Sequence, residues 1–434
     1  MSFLNWSVLP DIAAFTLLIC AFASTARRHY SPSARAWLIG WLMIALHFAA
    51  LLFVKFKGFP GILGVTISSI ALVSAGELFK TSIIPFRKES SSRWMTVMLL
   101  AVNALYIALL TTSIEPAWIL NVAATLIGIG PLAIALASLR RVNCAVRWAT
   151  VTQNIALMVF LLVFQHRPGN GGDLALNAVM FIVYLGCSIN FLFAYRRATA
   201  GAFITIAGFM AWASVFVVGN WLFYDFPQLH IEAEVWNLPK YLVAVGMILL
   251  LLESQIEDNK YLALHDPLTG LPNRRLFEDR MNSALERSRR NGTQMALLVI
   301  DLDRFKLIND TLGHHVGDLV LQHVGSTFSE RVRRSDTVSR TGGDEFSVIL
   351  EETTNREEAE NVGTSLRQLL EPPLDLGDCE VQIGASIGIA IFPEDAADAE
   401  SLCIAADHRM YEEKNNNRRL NQDVPPAKRK YLPH

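Results

Sequence analysis

Clustered cysteine is missing from this chain. Its five cysteines, Cys20, Cys144, Cys187, Cys379 and Cys403, stand singly. The lack of a CxxC pair or a Cys/His group argues against a zinc site or a disulfide framework. Charge is scarce as well: 18% of the 434 residues are charged, against 52% hydrophobic. A mean hydropathy of +0.32 is too apolar for an ordinary soluble protein, so part of the chain is expected in lipid. The net charge of -2 favours no particular partner, and nothing points to nucleic acid. No positive charge precedes the first apolar run, which argues against a signal peptide.

The composition changes near Glu253. Before it, apolar runs alternate with short polar stretches. A helix needs about 20 apolar residues to cross roughly 30 Å of hydrocarbon. By that ruler, residues 1–252 hold about nine spans, near 9–25, 36–54, 60–79, 94–112, 116–138, 148–164, 174–195, 202–223 and 237–252. Twelve basic residues, from Arg27 to Arg197, fall on one side of this arrangement, and four (Lys55, Lys57, Arg167 and Lys240) on the other. The positive-inside rule places the first set in the cytoplasm, and with it everything after the last span. His47 in the second span and Glu77 in the third are costly in lipid. They read either as a ligand or ion site, or as a His bonded to a neighbouring helix and a Glu snorkelling to the interface. Asn103, Asn121, Asn154 and Asn190 read as interhelical hydrogen-bonding residues.

Residues 253–265 continue from the last span without glycine or proline. Leu249, Leu252, Ile256, Asn259 and Ala263 recur at heptad steps, the seam of a short coiled-coil stalk with a polar residue to fix register. Residues 266–422 then alternate strand and helix patterns, which predicts an α+β domain around a central sheet. "QMALLVIDLD" is an apolar strand that ends in Asp301 and Asp303, followed by a polar turn and an amphipathic helix. "TVSRTGGDEFSVIL" is a hairpin with Gly342, Gly343, Asp344 and Glu345 at its tip. If the two strands are neighbours, three carboxylates converge at one sheet edge. Hard oxygen ligands of that number suit Mg²⁺ or Mn²⁺, and two such ions suit in-line phosphoryl transfer. Glycines beside them leave the backbone open to a triphosphate. Residues 423–434 read as a disordered tail.

Gly342-Gly343-Asp344-Glu345-Phe346, together with "DPLTGLPNRR", "DLDRFKLINDTLGHHVGD", "ASIGIAIFPED" and "ADHRMYEEK", resembles the GGDEF family of diguanylate cyclases over about 255–420. The fold this implies is similar to the polymerase palm and the nucleotidyl cyclases: a sheet flanked by helices, here joined to an all-α polytopic membrane bundle. The implied activity condenses two GTP into cyclic di-GMP and two pyrophosphates on a homodimer, with two Mg²⁺ or Mn²⁺ per active site. The implied location is the bacterial inner membrane, among its lipid, with the cyclase in the cytoplasm. By resemblance, Asp301, the Leu302 carbonyl, Asp344 and Glu345 hold metal, with Glu345 also the candidate base. Asn309 and Asp318 read guanine, His314 lies against it, and Lys306, Lys414 and Arg418 neutralise phosphates. Arg333 and Asp336 match an RxxD product-inhibition motif, with Arg340 an added contact. Asn417 stands where a glycine is usual, which questions the turn there. The alternative reading is an inactive domain that serves as a cyclic di-GMP receptor.

Overall fold

The computed structural model describes residues 4–28, 32–83, 90–112, 117–137, 144–167, 171–195, 199–226, 228, 233–353, 355–377, 379–420 and 427–429. The chain divides into two compact units, Met1–Ile256 and Glu257–His434.

The first unit is built mainly of helices: α1 (Leu9–Arg28), α2 (Pro32–Leu51), α3 (Phe59–Ser82), α4 (Ser90–Thr112), α5 (Ala117–Ala137), α6 (Cys144–Phe164), α7 (Gly171–Ala194), α8 (Ala200–Asp225) and α9 (Ala233–Leu264), the last continuing past the division. Six of these are long and apolar enough to cross a membrane among the described residues; the apolar stretches of α4, α5 and α6 are shorter there. The nine expected spans correspond to nine helices, six of which meet the length and hydropathy of a span among the described residues.

Its polarity is inverted relative to a soluble domain. Leu17, Phe59, Phe203 and Trp118 face outward, while Asp11, Glu77, Lys80, Asn190 and Lys240 are buried. Such a surface is suited to lipid, where polar groups must be satisfied within the bundle. Three donors on α7 do this along α3: Tyr184 Oη, Cys187 Sγ and Asn190 Nδ2 donate to the carbonyls of Leu72, Gly76 and Lys80, one helical turn apart. His47 Nδ1 lies 2.8 Å from Ser68 Oγ, the bond to a neighbouring helix. Glu77 does not reach an interface; it is 2% exposed and its Oε1 accepts from Lys80 Nζ at 2.7 Å. Asn121 accepts from Gln165, just past α6, and Asn190 bridges α7 to α3, whereas Asn103 bonds the Leu99 carbonyl of its own helix. Lys80 and Lys240 are interior rather than loop charges. The loop tally without them, eleven against three, keeps its direction.

The second unit is built on an antiparallel sheet in the order β2-β3-β1-β6, with β1 (Gln294–Asp303), β2 (Thr337–Arg340), β3 (Glu345–Thr353) and β6 (Gly384–Phe392). Strand alternation in β1 sorts its side chains onto two layers. Ala296, Leu298, Ile300 and Leu302 join one core with residues of α12 (His314–Arg331) and α13 (Arg356–Gln368). Met295 and Leu297 join another with α10 (Arg274–Asn291) and α14 (Ala399–Leu420). Asp301 shares the parity of Leu297 and so faces the α14 layer.

Two stretches depart from the sequence reading. The polar turn after Asp303 is a short helix, α11 (Phe305–Leu312), because Phe305 and Ile308, three residues apart, both bury. The tail is not wholly without structure: a side sheet of β4 (Leu374–Asp375) and β5 (Cys379–Val381) takes β7 (Ala427–Arg429) onto its open edge.

Candidate functional site

Register brings the acids together. Asp301 on β1 pairs with Glu345 on β3 on one side and with Ser386 on β6 on the other. The Leu302 amide donates to the Asp344 carbonyl at 3.2 Å, which closes β1 against the hairpin tip. Asp301 is 5% exposed. Burial pushes its carboxyl upward, with Asp344 and Asp303 adding repulsion and the Lys414 ammonium opposing them. Glu345 is likewise raised, by burial first and then by Asp301, Asp344 and Asp407. This is the mutual influence that a shared site imposes on like charges.

Helix α14 supplies the positive charge, and a glycine sets how closely it lies. A Cβ on Gly388 would fall on the Ala406 carbonyl oxygen and the Met410 amide. From that contact, successive turns of α14 pass over the acidic edge. Glu413 Oε2 accepts from the Ile387 amide at 3.1 Å, and Glu413 Oε1 accepts from Arg367 at 2.6 Å. Lys414 Nζ lies 2.5 Å from Asp301 Oδ1. Asn417 Nδ2 donates to Ser386 Oγ at 3.2 Å and to Asp303 Oδ2 at 3.4 Å, and Ser386 Oγ donates to Asp303 Oδ1 at 2.7 Å. The helix runs on to Leu420, so the residue that questioned a turn sits in regular helix and ties it to the sheet. The Arg418 side chain lies outside the described residues.

A cavity of about 350 Å³ opens beside this edge, lined in part by Leu302, Asp303, Lys306, Asp344, Lys414 and Asn417. Asn309, His314 and Asp318 lie on α11 and α12 rather than in its lining. Asn309 Oδ1 is buried with no hydrogen bond, and it fills the space that a Cβ on Gly317 would need. Gly317 immediately precedes Asp318, so an unanswered polar atom sits next to the second residue assigned to guanine.

Whether these residues fit a divalent ion is answered by their donors. All are hard oxygens, and the buried Asp301 Oδ1 faces a single cationic partner, Lys414. Among the described residues, no three His, Cys, Asp or Glu side chains form a closed metal cage. Magnesium commonly takes one or two carboxylates and completes its shell with substrate phosphates and water. The edge therefore fits an ion held by one or two carboxylates, with water or nucleotide phosphates completing its shell.

The hairpin tip is held by a link that the sequence reading did not supply. Arg340 Nη2 and Nε donate to the Gly343 carbonyl at 2.7 and 3.2 Å, and Arg340 Nη1 donates to Asp266 Oδ1 at 2.9 Å. Asp266 also accepts from the Thr269 amide and hydroxyl. Burial raises the Asp266 carboxyl, but the donors from Arg340 and Thr269 outweigh it and hold the group below its ordinary value. Arg340 is thus committed to the turn at the start of the domain and to the tip. Arg333 and Asp336 stand apart from it, lining a second cavity of about 370 Å³ with Glu351 and Glu358. There Asp336 accepts from the Arg333 and Glu351 amides, and Arg333 Nη2 pairs with Glu358 at 2.9 Å.

Comparison with known proteins bears on the identity of the second unit. Residues 263–420 match the family described as Diguanylate cyclase, GGDEF domain. The chain is 41% identical over 150 residues to Diguanylate cyclase TpbB of Pseudomonas aeruginosa, a match covering 34% of each. It is 36% identical over 192 residues to Diguanylate cyclase DgcN of Escherichia coli, covering 44% of each. The chain thus spans less than half the length of these curated relatives. Among solved structures, the GGDEF domain of TpbB from Pseudomonas aeruginosa is 40% identical, with 92% of that domain and 34% of this chain covered and a TM-score of 0.34.

Proposed function

Because residues 263–420 form a GGDEF domain, we propose that the protein is a membrane-anchored diguanylate cyclase that joins two GTP into cyclic di-GMP and releases two pyrophosphates. The observation that carries this reading is the pairing of Asp301 with Glu345 across adjacent strands, with Asp344 beside them and Lys414 above. A site that only bound nucleotide has no need to crowd three carboxylates against a triphosphate.

In this reading, Asp301, the Leu302 carbonyl, Asp344 and Glu345 hold Mg²⁺ or Mn²⁺, two ions per site. When bound, these neutralise charge developing on the α-phosphate and favour ionisation of the attacking hydroxyl. Glu345, raised by burial and its acidic neighbours, is a suitable acceptor for that proton. The 3′-oxygen of one GTP bonds to the α-phosphorus of the other, the bond from that phosphorus to the bridging oxygen breaks, and pyrophosphate leaves. Lys306 and Lys414 line the cavity where the phosphates would lie, and Arg418 follows one turn later on α14. The bases are read at α11 and α12: Asp318 accepts from guanine N1–H and N2–H, a donor pair that adenine lacks. Asn309 adds a second contact there, with His314 alongside. Each domain holds one GTP, so two must face one another, and the heptad seam in α9 is the means of pairing them.

Two results test this. Purified full-length protein in lipid nanodiscs should convert GTP, but not ATP, into a cyclic dinucleotide with two pyrophosphates per product. Binding of cyclic di-GMP without turnover would favour the receptor reading. Product inhibition is assigned to Arg333 and Asp336. The Arg333→Ala variant should keep its initial rate and lose at least tenfold in sensitivity to added cyclic di-GMP, the scale of losing a charge-assisted bidentate contact; unchanged inhibition would remove these residues from the inhibitory site.

A further inference from the structure

One contact at the acidic edge is not explained by a lysine whose sole task is to bind phosphate. The Lys414 ammonium lies 2.5 Å from Asp301 Oδ1 as a close ion pair. It does not point into open solvent: its side chain is 21% exposed, and that of Asp301 is 7% exposed. Other carboxylates crowd the pair. Asp344 and Asp303 act on Asp301, and Glu345 feels Asp301, Asp344 and Asp407. Without a cation at that point, the cluster would hold buried negative charge with no local compensation, which is costly.

The backbone that carries Lys414 is fixed on both sides. Glu413 is pinned by the Ile387 amide and Arg367, Asn417 by Ser386, and Met410 by its contact with Gly388. What can move is the flexible four-carbon side chain. The direction is available too, because Lys414 lines the cavity shared with Lys306 and Asp344.

We propose that Lys414 is a tethered counter-ion. In the nucleotide-free protein its ammonium compensates the charge on Asp301, and a divalent cation arriving there displaces it toward the triphosphate. The inference rests on the metal-dependent reading above and adds a coupling to it: metal binding and presentation of Lys414 to the phosphates are a single exchange. It also gives the acidic edge a way to stay folded between turnovers without a resident ion.

The test is Mn²⁺ binding without nucleotide, followed by loss of the free-ion EPR signal. It uses the full-length protein in phosphatidylcholine nanodiscs, with circular dichroism as a check of folding. Lys414→Gln removes the competing charge at similar length, and it should bind Mn²⁺ about tenfold more tightly than the parent, the scale of releasing a close charge pair from a half-buried site. Lys414→Arg retains the cation and should stay within about threefold of the parent, and Asp301→Asn should lose the binding. With a non-hydrolysable GTP analogue present, the order should reverse, because the ammonium then acts on phosphate. Equal or weaker Mn²⁺ binding by Lys414→Gln, with Asp301→Asn still defective, would overturn the counter-ion role and leave the metal site standing. Unchanged binding by Asp301→Asn would overturn the metal reading itself.

Discussion

At the scale of single residues, the acids that define the site were readable because they break a local rule. Asp301, Asp344 and Glu345 end apolar strands where β-branched residues would otherwise continue, so their chemistry shows in one dimension. Arg340, Ser386 and Asn417 were not readable in this way. Arg340 reaches Asp266, 74 positions away, and Asn417 reaches Asp303, 114 positions away; each role exists only once strand register has brought its partner near. The crowding has a consequence for stability. The Glu345 carboxyl is raised on folding, so the folded state holds its proton more strongly than the unfolded chain. That contribution is fully present below the unfolded value and is lost as pH rises through the folded one. Glu345→Gln should therefore unfold at a higher temperature than the parent at pH 7, and the gap should close as pH falls toward about 4, the ordinary carboxylate range. A gap that widened on acidification would contradict the assignment. Its cause is burial first, with the Asp301, Asp344 and Asp407 carboxylates adding to it.

At the scale of elements, α14 matters most. The sequence marked a final helix, but not how closely it approaches the sheet, since that is set by a missing side chain on a different element. Gly388 leaves room for the backbone of Ala406 and Met410, and the turns beyond carry Glu413, Lys414 and Asn417 over the acids. Gly388→Ala should cost about 3 kcal/mol of stability, because the obstruction is backbone and cannot rotate away. It should also lower turnover, although Gly388 itself lines neither cavity. Full activity together with parent stability in a denaturant titration would show that α14 can shift without consequence. The two misread stretches have a related origin. Helix α11 is 8 residues long and shows only Phe305 and Ile308 as its buried face, too short a stretch for periodicity to outweigh its polar residues. Strand β7 is specified by the open edge of β5 rather than by its own composition.

At the scale of the whole molecule, composition already separated an apolar half from a charged one, and the division between Ile256 and Glu257 falls close to the change at Glu253. Hydropathy did not reveal which polar residues belong inside. Glu77 and Lys80 neutralise each other three residues apart, and Asp11 is held by Asn237 and Tyr241. These are interior partnerships that a count of charges along the chain assigns to loops or interfaces. If the catalytic unit works as a facing pair, turnover per protomer should fall steeply on dilution in detergent below the dissociation constant of the dimer, and adding an Asp344→Ala partner in excess should suppress the parent. A rate per protomer independent of concentration and of the inactive partner would contradict that arrangement.

The most direct test of the central claim is GTP turnover by full-length protein with Mg²⁺, measured beside Asp344→Ala matched for folding and association. The account predicts cyclic di-GMP and pyrophosphate from the parent and a loss of at least a thousandfold in the variant, the scale of removing preorganised charge stabilisation from a transition state. Equal turnover by the two proteins would contradict it, because the carboxylates at the hairpin tip would then have no part in the chemistry.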